Sequence, residues 1–177
     1  TVFSICILLL PCAVYVIFLI RCIRGWHFGS IEKADCPLEE VTVIVPARNE
    51  SATLIRTLAA IDAQEYPPGR LQVIIVDDAS EDDTRQKALD FISSDTRHPV
   101  RLLALDGVGS KKKAISAAVA EANSEWILTV DADVLIDSPH WLKTMFSEAD
   151  QETWMICGPV LLRRKRDGLF PVLSERS

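Results

Sequence analysis

VTVIVPARNE, residues 41–50, sets an unbroken run of apolar and β-branched residues directly against a proline and a charged, polar turn. A run without alternation has the pattern of a strand buried on both faces. The arrangement recurs downstream. LQVIIV (71–76) runs into DDAS, VRLLAL (100–105) into DGVGSK, and EWILTV (125–130) into DAD. Between these runs lie helix-sized segments. Residues 51–63 place Leu54, Ile55, Leu58 and Ile61 on one stripe, ended by Tyr66-Pro67-Pro68-Gly69. Residues 82–93 and the Ala-rich 112–122 follow, and Ser138 as N-cap with Pro139 at the first helical position opens another helix through residue 149. A last strand is expected around residues 155–162. Strands alternating with helices of this length predict an α/β domain with a mostly parallel sheet and flanking helices.

In such sheets ligands bind beyond the carboxyl ends of the strands, so the four polar loops after the strands should converge on one edge. Asp131 and Asp133 stand two apart with nothing basic adjacent in the sequence, so they repel unless a divalent cation sits between them. Few hard oxygen ligands suit Mg²⁺ or Mn²⁺, which bind through one or two carboxylates plus substrate phosphates. Taken alone, an acidic pair at a strand end is more often a solvated turn or helix cap than a metal site, and the same ambiguity holds for Asp77-Asp78, where Ser80 or Asp82 can cap while Asp78 points into the crevice. An acceptor-only carboxylate there could receive a uracil imide N–H or ribose hydroxyls. Gly107-Val108-Gly109 is half a dinucleotide fingerprint and no P-loop is present. Lys111-Lys112-Lys113 at a helix start opposes the helix dipole; a bound polyanion would offset that, and a solvated lysine cluster is the plain alternative.

The first 20 residues carry no charge, and all 19 Lys+Arg and 25 Asp+Glu of the 177-residue chain follow them. As a helix this stretch would span about 30 Å, the thickness of a bilayer core, and Pro11 is tolerable in lipid. Arg21, Arg24, Trp26 and Phe28 resemble a cytoplasmic flank with an aromatic belt. The expected organisation is a transmembrane helix with its basic flank (1–24), a linker (25–40) and a cytoplasmic domain (41–177) at the cell membrane. The lack of an initiator Met and the stop at Ser177 suggest a fragment cut at both ends.

A net charge of −6 argues against a nucleic-acid partner, and 49% hydrophobic residues exclude disorder. Cys6, Cys12, Cys22, Cys36 and Cys157 show no CxxC spacing and His27, His98 and His140 are scattered, so neither a disulfide framework nor a zinc site is expected. The thiols read as buried or lipid-facing. Arg163-Arg164-Lys165-Arg166 reads as a solvated hairpin, with anionic lipid as a secondary option.

With VTVIVPARNE, VIIVDDASEDDT, GSKKKAI and ILTVDADV in this order, the chain resembles the family 2 glycosyltransferases of the GT-A fold, and in its donor-binding half is similar to cellulose and hyaluronan synthases. The resemblance covers residues 40–159. It implies that Pro46, Ala47 and Glu50 line a nucleotide-sugar pocket, that Asp78 contacts the base, that Lys111 lies near the ribose or diphosphate, and that Asp131 and Asp133 are the family's DxD, Asp133 being the direct metal ligand. Ser110 and Ala79 stand where glycine is frequent. The family's catalytic base belongs to a later motif with no match after Pro159, so it is expected beyond Ser177 and the piece alone should be inactive.

The implied reaction is inverting transfer of a sugar from a nucleotide-diphosphate donor, a UDP-sugar first, to a hydroxyl on a lipid or glycan acceptor. Alternatives are a membrane-anchored nucleotide-sugar binding module without turnover and a nucleotidyltransferase, although the latter would carry a Gly-rich basic loop after its first strand. A receiver domain would place its Asp pair after the first strand, not the second.

Overall fold

The computed structural model describes residues 11–21, 39–107, 109–147, 149 and 153–158. A helix, α1, covers residues 11–21, with Val14, Tyr15, Ile17 and Phe18 all exposed. Among the described residues no helix is long and apolar enough to cross a membrane; the first ten residues of the expected span, and most of the expected linker, lie outside them.

The domain follows as β1 (Val41–Ala47), α2 (Leu54–Asp62), β2 (Leu71–Asp77), α3 (Thr84–Ile92), β3 (Val100–Ala104), α4 (Lys111–Glu121), β4 (Trp126–Thr129) and α5 (Trp141–Phe146). The four strands form one parallel sheet in the order β3-β2-β1-β4. The chain steps outward from β1 to β3, then returns through α4 to place β4 on the free side of β1. Right-handed crossovers of opposite direction put their helices on opposite faces. The side chains obey this with a period of two. Val41, Val43, Val45, Leu71, Val73 and Ile75 pack with Leu54, Leu58, Ile61, Ala88, Leu142 and Phe146 on one face. Ile44, Ile74 and Val76 meet Ala114 and Ala118 of α4 on the other. β1 is therefore covered on both sides, as its unbroken apolar run requires.

Four local expectations are corrected. The α2 stripe is Leu54, Thr57, Leu58 and Ile61, with Ile55 exposed: positions 54, 57, 58 and 61 follow the i, i+3, i+4, i+7 spacing more closely than a stripe through 55. Helix α5 begins at Trp141, because Ser138 Oγ accepts from His140 N at 3.2 Å and Trp141 N reaches Ser138 O at 3.3 Å, closing a separate turn first. The expected last strand is not formed over residues 155–158, and the rest of it lies outside the described residues. Cys157 is exposed, not buried, while Cys12 on α1 is exposed as well. His98 is a core residue: it is buried with Nε2 at 3.2 Å from Gln64 O.

The alanines of α4 let the helix sit close to the sheet. Ala118→Leu, at a fully buried position, should lower stability by about 1–3 kcal/mol through overpacking, whereas Ala120→Leu on the exposed side should stay within about 0.5 kcal/mol. Urea denaturation of both variants checks this.

Candidate donor-binding site

The strand order reverses between β2 and β4 on either side of β1, and at that switch point the loops beyond the carboxyl ends part to leave a crevice. The cavity there has a volume of ≈ 340 Å³. Its walls include Pro46, Ala47, Glu50, Asp78, Lys111, Asp131 and Asp133, so every site residue read from the sequence meets in one place. Arg48, Gly109, Ser110, Ala114 and Ala132 complete the lining. A larger hollow of ≈ 640 Å³ between Glu65, Tyr66, Arg97 and Lys143 lies at the opposite edge, where the strands begin. None of the site residues read from the sequence lines it.

The β1 loop is locked to the β2 loop. Asn49, at φ 57, accepts from Glu81 N through Oδ1 at 2.8 Å, and its own N–H donates to Ser80 Oγ at 3.1 Å. Asparagine tolerates this left-handed backbone better than most residues. Glu50 N donates to Thr84 Oγ1 at 2.8 Å and Ser51 N to Asp82 Oδ2 at 3.2 Å. The Glu50 carboxylate turns back to accept from Thr53 Oγ1 at 2.8 Å, so it holds the start of α2 as well as lining the cavity. Asp82 does not cap α3 as its terminal residue. Its carboxylate accepts from the Thr84 hydroxyl and backbone N–H, bracing the junction between the two loops. The Thr84 hydroxyl is the largest cause holding the Asp82 carboxyl well below the ordinary carboxylate range; burial opposes it, and hydrogen bonds from Ser51 and from the Thr84 backbone assist.

The two aspartates after β2 divide their work. Asp77 accepts from Ser80 N at 3.1 Å and shapes the turn, while Asp78, also buried, accepts from Gly109 N at 2.9 Å. Ala79 between them and Ser80 sits at φ 54, the conformation in which glycine has no steric penalty. The two glycines of the β3 loop have separate reasons. Gly107 adopts φ 77, and a Cβ on Gly109 would lie 2.5 Å from Asp78 Oδ1.

Across the cavity, Lys111 Nζ lies 2.5 Å from Asp131 Oδ1. This corrects the expectation of an acidic pair with nothing basic beside it: α4, capped by Ser110 Oγ accepting from Lys113 N, brings its first lysine over from 20 residues away in sequence. Lys112 and Lys113 are exposed and outside the lining, so the triplet divides into one site lysine and two solvated ones. The Asp133 carboxylate makes no hydrogen bond or ion pair with a described residue. Among the described residues no group of three or more His, Cys, Asp or Glu gathers as a metal cage. Two exposed carboxylates on one turn instead fit a cation that completes its shell with phosphate oxygens and water.

Beneath that turn lies a support the sequence reading missed. Thr57 Oγ1 is 2.9 Å from Ala132 O and 3.0 Å from Val134 O, and Arg56 donates to Asp133 O at 3.3 Å. A threonine inside an otherwise apolar stripe is the signal that could have revealed it.

The model of "Glycosyl transferase family 2" matches residues 42–175. An N-acetylglucosaminyltransferase of Bradyrhizobium elkanii is 39% identical over 110 residues, 61% of this chain and 59% of its own length. The undecaprenyl-phosphate 4-deoxy-4-formamido-L-arabinose transferase of Klebsiella pneumoniae is 29% identical over 135 residues, 76% of this chain and 40% of its own. Among solved structures, the mannosyltransferase PcManGT from Pyrobaculum calidifontis, in complex with GDP-Man and Mn²⁺, superposes with a TM-score of 0.67 at 27% identity, covering 77% of this chain and 40% of that one. The chain thus spans about half the length of these relatives.

Two outcomes follow from the loop geometry. Gly109→Ala should displace the Asp78 carboxylate and strip a buried acceptor of its donor, costing about 1–3 kcal/mol in urea denaturation. The depressed folded pKa of Asp82 means that its clasp adds stability above the unfolded value of 3.8 and loses it as pH falls below that value toward the folded one. Stability measured from about pH 5 to about pH 2 should therefore fall more steeply in the native protein than in Asp82→Asn.

Proposed function

The chain belongs to glycosyl transferase family 2, and from that premise we propose that it transfers a sugar, with inversion, from a UDP-sugar held at the β1–β4 switch point to a hydroxyl of a lipid-linked or glycan acceptor at the cytoplasmic face of a membrane. The observation that carries the donor site is the convergence of Pro46, Ala47, Glu50, Asp78, Lys111, Asp131 and Asp133 on one cavity. The names of the relatives, an N-acetylglucosaminyltransferase and a transferase acting on undecaprenyl phosphate, support a sugar donor and a lipid-linked acceptor. Supporting the membrane anchor are the uncharged residues 1–20 and the exposed apolar side chains of α1.

In this reading Asp78, fixed by the Gly109 N–H, accepts from the imide N–H of the base. Lys111 meets the diphosphate. Its ion pair with Asp131 is half exposed at both ends, worth about 0–1 kcal/mol, so an incoming diphosphate displaces it at little cost. Asp133 and Asp131 would hold Mg²⁺ or Mn²⁺, which when bound supplies positive charge beside the departing nucleoside diphosphate.

Asp133 carries the largest share of this chemistry. A unit charge at about 4 Å in an effective dielectric near 20 contributes roughly 4 kcal/mol, or about three decades of rate. Asp133→Ala in the full-length protein should lower transfer of label from UDP-N-acetylglucosamine and related UDP-sugars in membranes by about 10²–10³-fold. The exposed side chain should leave the urea midpoint unchanged. Transfer at the native rate in this variant would refute the assignment.

A further inference from the structure

Helix α2 offers two consecutive side chains to the turn that carries Asp131 and Asp133. Thr57 is fully buried, and its single hydroxyl proton is shared between Ala132 O and Val134 O, at 2.9 Å and 3.0 Å. Arg56 donates to the carbonyl between them, Asp133 O, at 3.3 Å. Three successive carbonyls of the turn therefore face α2, and Val134 N closes the turn on Asp131 O at 3.1 Å. With its carbonyls tied to the helix, the turn lines the cavity with Asp131 and Asp133. The core alone has no need of a hydroxyl at position 57, since Leu54, Leu58 and Ile61 beside it are apolar, and burying one is unfavourable unless it is bonded.

The same nine-residue helix begins where the β1 loop ends, with Leu54 N bonded to Glu50 O at 3.0 Å. One helix thus touches two of the cavity's walls, the β1 loop and the Asp131–Asp133 turn. We propose that Arg56 and Thr57 are positioning residues, a clamp that fixes the Asp131–Asp133 turn at the spacing a divalent cation shared with a nucleoside diphosphate requires. The proposal rests on the reading of the cavity as a donor site. It differs from a purely structural role because the clamp acts on the cation-dependent part of binding, while the wall formed by Asp78 and Gly109 is held by other bonds.

The test is calorimetric titration of UDP into the full chain, with and without MnCl₂, for the native protein, Thr57→Val, Thr57→Ser and Arg56→Met, each checked for folding by circular dichroism. Supporting groups behind metal ligands typically govern affinity by 10–100-fold, so Thr57→Val should weaken Mn²⁺-dependent UDP binding by about tenfold. Binding without metal should stay the same, and Thr57→Ser should restore the native value. Arg56→Met, at an exposed position, should fold normally and show a smaller loss in the same direction, which keeps the test decisive even if Thr57→Val fails to fold. Unchanged Mn²⁺-dependent affinity in the folded variants overturns the clamp, as does an equal loss with and without metal. A native protein that binds neither UDP nor GDP with Mn²⁺ overturns the donor-site reading itself, and the clamp's role with it.

Discussion

The cavity depends on β1 having a parallel neighbour on each side. Val41–Ala47 pairs with all of β2 along one edge and with β4 along the other, and both of its faces are covered by helices. A strand so enclosed is almost wholly apolar, its one hydroxyl, Thr42, being bonded to Ser124 and Gln72, and its charged residues begin only where the sheet ends. Chemistry is thereby pushed to the carboxyl edge, where the loops after β1, β2 and β4 and the start of α4 are brought within reach of one ligand.

Charge then decides what that edge can hold. Four carboxylates, from Glu50, Asp78, Asp131 and Asp133, face two cations, Arg48 and Lys111, around the cavity. Two of the four are already committed, Glu50 to Thr53 and Asp78 to Gly109. Asp131 shares an ammonium group with Lys111, and Asp133 has no such partner among the described residues. The uncommitted negative charge is concentrated on one turn, and the movable positive charge sits opposite it. A divalent cation and a diphosphate satisfy both at once, which is the physical content of the proposed donor site.

The sheet and the site loops were legible because they depend on local signals. Apolar runs without alternation mark buried strands, and polar residues at strand ends mark the ligand edge. The Lys111 pairing was not legible, since the contact spans a crossover and exists only once α4 has placed its first turn beside β4. The roles of Gly107 and Gly109 also looked alike in sequence, yet one answers a backbone angle and the other the approach of Asp78. Ala79 sits at a positive φ, a backbone angle that the sequence alone does not announce at an alanine. Thr57 was not legible because it is polar: a stripe drawn through apolar residues alone takes in Ile55 instead, although Thr57 fits the helical spacing better.

A crystal structure of the protein with UDP and Mn²⁺ tests the proposed donor site most directly. The uracil should lie beside Asp78, the diphosphate by Lys111 with its ammonium withdrawn from Asp131, and the metal on Asp133. Nucleotide bound in the hollow between Glu65, Tyr66, Arg97 and Lys143, or a metal away from the Asp131–Asp133 turn, would contradict it.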